Sequence, residues 1–219
     1  MELTPDTRAI SEMFVDIVDV FDEPVDEDSR FTLLSTCLEV SGLDDGSVSI
    51  VDVAGLTGPS VSTTPLGTDE RDYLSRRCLT TMSTEFTATA TTGGVECDWA
   101  VPMRARSEAL GVVRLHSADG RTLDSHVLAT IQNLADTAAI AIDRTHAVQQ
   151  GRALVSQLQS ALDSRVRIEQ AKGVLAERHG TGFDDAFRHL RTTARSERRP
   201  IADIADEVIA GVGSTNGRP

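Results

Sequence analysis

Residues 158–180 read LQSALDSRVRIEQAKGVLAERHG, and residues 181–211 continue TGFDDAFRHLRTTARSERRPIADIADEVIAG. The first segment lacks proline and closes on His179-Gly180, with glycine where helices commonly stop. Phe183, Ala186, Phe187, Leu190 and Ala194 then recur at steps of three and four, which predicts one apolar face on a second helix. Arg188, Arg191 and Arg195 take the same steps on another face, and Arg198 and Arg199 carry the row into a turn broken by Pro200. Ile201, Ile204, Ala205, Val208 and Ile209 give a third, shorter helix its own apolar side. The expected product is a compact three-helix unit with one basic side.

Upstream, Leu123 to His179 contains no proline and only two glycines, Gly151 and Gly173, and Asp124 is a suitable N-cap. Leu128, Ile131, Leu134, Ala135, Ala138, Ile142, Val148, Val155, Leu158, Leu162 and Val166 are spaced near 3.5 residues. That predicts one long helix and some helix pairing along the seam.

The front of the chain mixes patterns. Ile10, Met13, Phe14, Ile17, Val18 and Phe21 predict an amphipathic first helix, and a polar break containing Pro24 leads to a second over 31–40 that ends near Gly42. Residues 47–53 (SVSIVDV) read as a strand between glycine-bearing turns, with a paired strand over 61–64 after a Gly58-Pro59 loop. Residues 68–79 read as a helix. The Thr- and Gly-rich stretch 80–94 carries no assignable pattern, and 96–106 with 109–116 form a hairpin. The fold class expected is therefore α+β. Its parts are an α/β front domain over 8–146, a coiled-coil-like linker helix, a helical module over 147–212 and a flexible tail over 213–219.

The chain has 219 residues and a formal charge of −13. The charge is uneven: residues 151–219 hold 11 Lys/Arg against 9 Asp/Glu, and the front holds 10 against 25. A polyanion is thus repelled by the front and admitted only at the back. No stretch is apolar for the ~20 residues that a bilayer span needs, and the acidic N-terminus does not read as a signal peptide. The expectation is a cytoplasmic protein without membrane contact. Cys37, Cys78 and Cys97 lack CxxC spacing and read as buried thiols, with a redox pair in the front domain as the other use open to them. There is no HExxH pair, nucleophile elbow or GxxxxGK[ST] loop, so no enzyme, metal or cofactor is expected. His116 reads as a structural histidine rather than a haem or metal ligand, and Trp99 and Tyr73 as core rather than pocket residues. The pair Asp184-Asp185 suits a helix start, where it complements the macrodipole.

Ser164 to Leu175, as S-R-x-x-I-E-Q-A-K-G-x-L, followed by Ala186-Phe187, Leu190-Arg191, Ala194, Arg198-Arg199 and Ile204-Ala205, resembles the ANTAR family of bacterial antitermination modules. The resemblance implies a trihelical fold that binds loops of paired RNA hairpins in transcript leaders, and dimerisation through the preceding helix. By matching position it implies Gln170, Lys172, Arg191, Arg198 and Arg199 as RNA-binding residues. Arg188 and Arg195 join them from the geometry of the arginine row alone. The small residues Ala171 and Gly173 leave room for a close surface or for simple helix packing. The VSIVD segment (48–52) and the PMRARxxxLGVVRLH hairpin (102–116) resemble a GAF domain. That resemblance implies control by a small-molecule ligand or by self-association. Two other readings remain: a DNA-binding regulator, disfavoured because residues 201–211 carry Asp203, Asp206 and Glu207 but no Lys or Arg, and a protein-interaction signalling module.

Overall fold

The computed structural model describes residues 5–21, 25–51, 57–63 and 69–213. The Pro24 break, the far end of the first strand at 52–53 and the tail beyond 213 lie outside them. The chain divides into two compact units, 1–148 and 149–219.

The first unit starts with α1 (Pro5–Val20) and α2 (Glu27–Ser41). Helix α2 starts four residues earlier than its apolar pattern, because Asp26 and Ser29 form a capping box. The Ser29 amide donates to the Asp26 carboxylate at 2.8 Å, and this bond above all holds the carboxyl below the ordinary aspartate range. A lowered folded pKa gives stability that is present above the ordinary carboxylate range and lost as pH falls through the folded value. Asp26→Ala should therefore lower the thermal midpoint at pH 7, and the gap to wild type should close in acid. A gap that persists at pH 2 would show that the cap does not act through its charge. Gly42, at φ 65°, ends α2.

Five strands form one antiparallel sheet in the order β2-β1-β5-β4-β3. They are β1 (Asp45–Val51), β2 (Thr57–Ser62), β3 (Glu85–Thr91), β4 (Gly94–Ala105) and β5 (Glu108–Ser117). Two strands depart from the sequence expectation. Strand β2 takes in Gly58 and Pro59; a proline without a donor is tolerated at the sheet edge. Strand β3 occupies the unassigned 80–94 stretch. Its EFTATAT alternation lies on the other edge, mostly exposed, so no apolar run marks it.

The central strands are buried on both faces, as their near-continuous apolar runs require. Val48, Val113 and Val101 stand in one cross-strand row, and Leu115 pairs with Trp99. They pack with Ile17, Phe21, Leu33, Leu34, Ile131, Leu134, Ala138 and Ile142 in the main core. On the other face Ala100 and Val112 meet Leu74 and Cys78 of α3 (Asp69–Thr81). Trp99 is thus core as expected, whereas Tyr73 is exposed rather than packed.

Helix α4 (Ser125–His179) is a single 55-residue element that serves both units. Asp124 caps it, accepting from the His126 and Val127 amides at 2.8 and 2.9 Å. Asp136 fastens it to the sheet: its carboxylate accepts from the Arg104 backbone and guanidinium, and Gln132 donates to both Asp136 and the Pro102 carbonyl. The apolar seam divides in two. Ile131, Leu134, Ala135, Ala138 and Ile142 are buried in the first unit's core, while Val148, Leu154, Val155, Leu158, Leu162 and Val166 are exposed.

The second unit adds α5 (Phe183–Glu197) and α6 (Ile201–Gly213) to the end of α4. Gly180, at φ 61°, closes α4, and the Thr181 amide reaches back to the Ala176 carbonyl. The core is built largely of alanines: Ala171, Ala186, Ala194 and Ala205 pack with Leu175, Leu190 and Ile204. Small side chains let the end of α4 and the two short helices α5 and α6 approach closely, and Arg167 ties α4 to α6 through Asp206 at 2.7 Å.

Candidate nucleic-acid interface

Helix α5 carries the arginine row on the flank beside its buried face. The buried face is Ala186, Leu190 and Ala194. Arg191 and Arg195 are exposed and have no acidic partner among the described residues. Arg198 ends α5 at φ 55° with its side chain likewise exposed. Three guanidiniums therefore face solvent, each with a planar set of donors suited to phosphate or to stacking. Arg188 extends the row, but it pairs with Asp185 at 2.7 Å across one helical turn.

The remaining candidates stand differently. Arg199 bonds both Glu197 and Glu207; the Glu207 bond above all raises its pKa and holds it charged. It braces the α5–α6 turn. Gln170 is exposed on α4. Lys172 lies one turn from Glu169 and pairs with it at 2.9 Å, and its side chain is only 17% exposed. Ala171 is fully buried in helix packing, while a side chain at Gly173 would meet nothing within 4 Å. Helix packing thus accounts for Ala171, and the surface at Gly173 is open.

Two residues expected in the core are not there. Phe183 is 62% and Phe187 38% exposed. Both rings lie on the flank toward α4, with the Lys172 ammonium 6.0 and 5.8 Å from their centroids. Period alone placed them with Ala186 and Leu190. The signal that separates them is size, because an alanine-lined helix junction has no room for two rings.

In the first unit, His116 Nδ1 lies 3.1 Å from Asp98 Oδ1, a buried cross-strand pair. Ser47 and Arg114, also cross-strand partners, stand on the same sheet face and are buried too. Among the described residues no cluster of three or more His, Cys, Asp or Glu could hold a metal ion. All three cysteines are buried and free, and burial pushes the Cys37 and Cys78 thiols up to about 12, where neutral solution holds almost no reactive thiolate. No described helix is long and apolar enough to cross a membrane.

Residues 156–209 match the family model of the ANTAR domain. The aliphatic amidase regulator of Pseudomonas aeruginosa is 40% identical over 53 residues, which are 24% of this chain and 27% of that protein. The transcriptional regulatory protein PdtaR of Mycobacterium tuberculosis is 27% identical over 85 residues, 39% of this chain and 42% of that one. The chain thus spans about a quarter and about two fifths of these relatives. Among solved structures, the GAF domain of an Acinetobacter phosphoenolpyruvate-protein phosphotransferase is similar at a TM-score of 0.44 and 14% identity, over 63% of this chain and 95% of that one. A free methionine-R-sulfoxide reductase from Neisseria meningitidis is similar at a TM-score of 0.47 and 13% identity, over 68% and 96%.

Proposed function

From the ANTAR domain at residues 156–209, we propose that this chain is an RNA-binding regulator of transcription. It acts by antitermination, through loops of paired hairpins in transcript leaders, under the control of its GAF-like front unit. The observation that carries the reading is the row Arg191, Arg195 and Arg198, exposed inside a matched module and without acidic partners among the described residues. Hairpin loops splay bases and crowd phosphates, and guanidinium planes serve both. Gln170, Lys172, Arg188 and Arg199 form the second rank, because Lys172, Arg188 and Arg199 must first leave internal carboxylates. The protein works in the cytoplasm as a regulator rather than an enzyme, with RNA and a second copy of itself as partners. A small-molecule ligand of the front unit is the signal.

The deciding experiment is an anisotropy titration of the full chain with a two-hairpin leader, a scrambled RNA and duplex DNA at two salt concentrations. Selective binding of the hairpins is expected. Equal, weak and salt-abolished binding to all three would overturn the reading, since counterion release alone explains it.

The exposed stripe Val148, Val155, Leu158, Leu162 and Val166 supports self-association through α4, because burying such a stripe against a second helix removes it from water. Leu158→Lys with Leu162→Lys should therefore convert a dimer to a monomer in sedimentation equilibrium without loss of helicity. An unchanged mass would place the contact elsewhere.

A further inference from the structure

We propose, building on the RNA-binding reading, that Phe183 and Phe187 form a stacking platform for an unpaired base of the hairpin loop. A helix that buries Ala186, Leu190 and Ala194 has already supplied its packing face, yet two aromatic rings project beside that face into solvent. One residue holds both: the Lys172 ammonium sits near 6 Å from each centroid, within cation–π range of both rings. Glu169 neutralises that ammonium. In the free protein Lys172 therefore braces the rings, and the platform exists before any ligand arrives.

The surroundings favour a base over an apolar protein segment. Asp184, Arg188 and Arg191 stand within one helical turn of Phe187 on α5 and Gln170 stands on α4, all exposed, so polar and charged residues flank the rings. A docking helix needs a longer apolar stripe. A nucleobase needs a flat apolar face with phosphate contacts close by. Arg191 and Arg195 follow Phe187 by four and eight residues, on the same flank and without acidic partners among the described residues. Gly173 and Gly182 neighbour Lys172 and Phe183 in sequence, and a Cβ at either would meet nothing within 4 Å.

The test compares the full-length wild type with the Phe183→Leu/Phe187→Leu variant, which keeps apolar bulk but removes the rings. The RNAs are the two-hairpin leader and a set in which each loop nucleotide in turn is abasic. The leucine variant should bind the intact leader on the order of tenfold more weakly, with an unchanged salt slope and an unchanged thermal midpoint. One abasic position should weaken the wild type to a similar degree and leave the leucine variant nearly unaffected, and Phe187→Trp should retain binding. Wild-type affinity in the leucine variant overturns the proposal and leaves the RNA reading intact. So does an abasic loss that is equal in both proteins at every position. A leucine variant that stops self-associating while keeping its RNA affinity overturns it in favour of a protein contact. If the wild type itself fails to prefer the hairpins, the RNA reading falls and the platform with it.

Discussion

The full chain with Arg191, Arg195 and Arg198 all changed to alanine should bind the two-hairpin leader roughly a hundredfold more weakly than wild type. The figure follows from about 1 kcal/mol for each lost guanidinium contact and tenfold in affinity per 1.4 kcal/mol. The salt dependence should fall as well. Each phosphate contact on single-stranded RNA contributes about 0.7 to the logarithmic slope, so three lost contacts lower it by about 2. Both changes should come without loss of structure, because the three side chains are exposed and support no buried partner. Alanine is also the best helix former at 191 and 195. Unchanged affinity with unchanged circular dichroism would show that the row is only a solvated surface. A weaker affinity with an unchanged slope would mean that the arginines stack on bases instead of neutralising phosphates.

Leu190→Ala should be the most damaging single change in the second unit. Leu190 is fully buried at the centre of a core whose other members are mostly alanines, with Leu175 and Ile204 the only larger buried side chains among the described residues. Truncating a buried leucine costs about 3 kcal/mol, because transfer free energy is lost and a cavity remains. Alanine neighbours have no long side chains to swing into that space. A loss of this size is a large fraction of the stability of any small domain. Hydrogen exchange should show protection collapsing in α5, α6 and residues 168–176 and persisting in the β4 and β5 strands, and hairpin binding should disappear. Retained protection throughout α5 would mean that the site collapses around the missing methyl groups.

The sequence was most legible where periodicity, caps and packing agree. Asp124, Gly180 and the Pro200 break mark helix ends that the structure keeps, because caps act locally and need no knowledge of the rest of the chain. The central hairpin was equally plain, since strands covered on both faces read as apolar runs. Edge strands were not. Glu85–Thr91 alternates threonine and alanine and is mostly exposed on both faces, so its assignment depends on the partner strand β4 and not on its own residues. The start of α2 was hidden because a capping box is polar and looks like a loop. In the candidate interface, the row of arginines was legible, whereas the division between free and internally paired members was not. Arg199 and Arg191 are alike in sequence; only the folded turn sets the first against Glu197 and Glu207. The positions of Phe183 and Phe187 were misjudged for a similar reason, because helical spacing reports a face but not how deep the junction beneath it is.

Arg198 adopts a left-handed backbone, at φ 55°, where the chain turns from α5 into α6. An L-residue with a side chain pays about 1 kcal/mol for that conformation, and glycine does not. The usual stabilising choice at this corner therefore removes the charge that the arginine row sets there. If Arg198 binds RNA as proposed, thermal hardiness and grip on a polyanion are opposed at position 198: Arg198→Gly should raise the thermal midpoint and weaken RNA binding together.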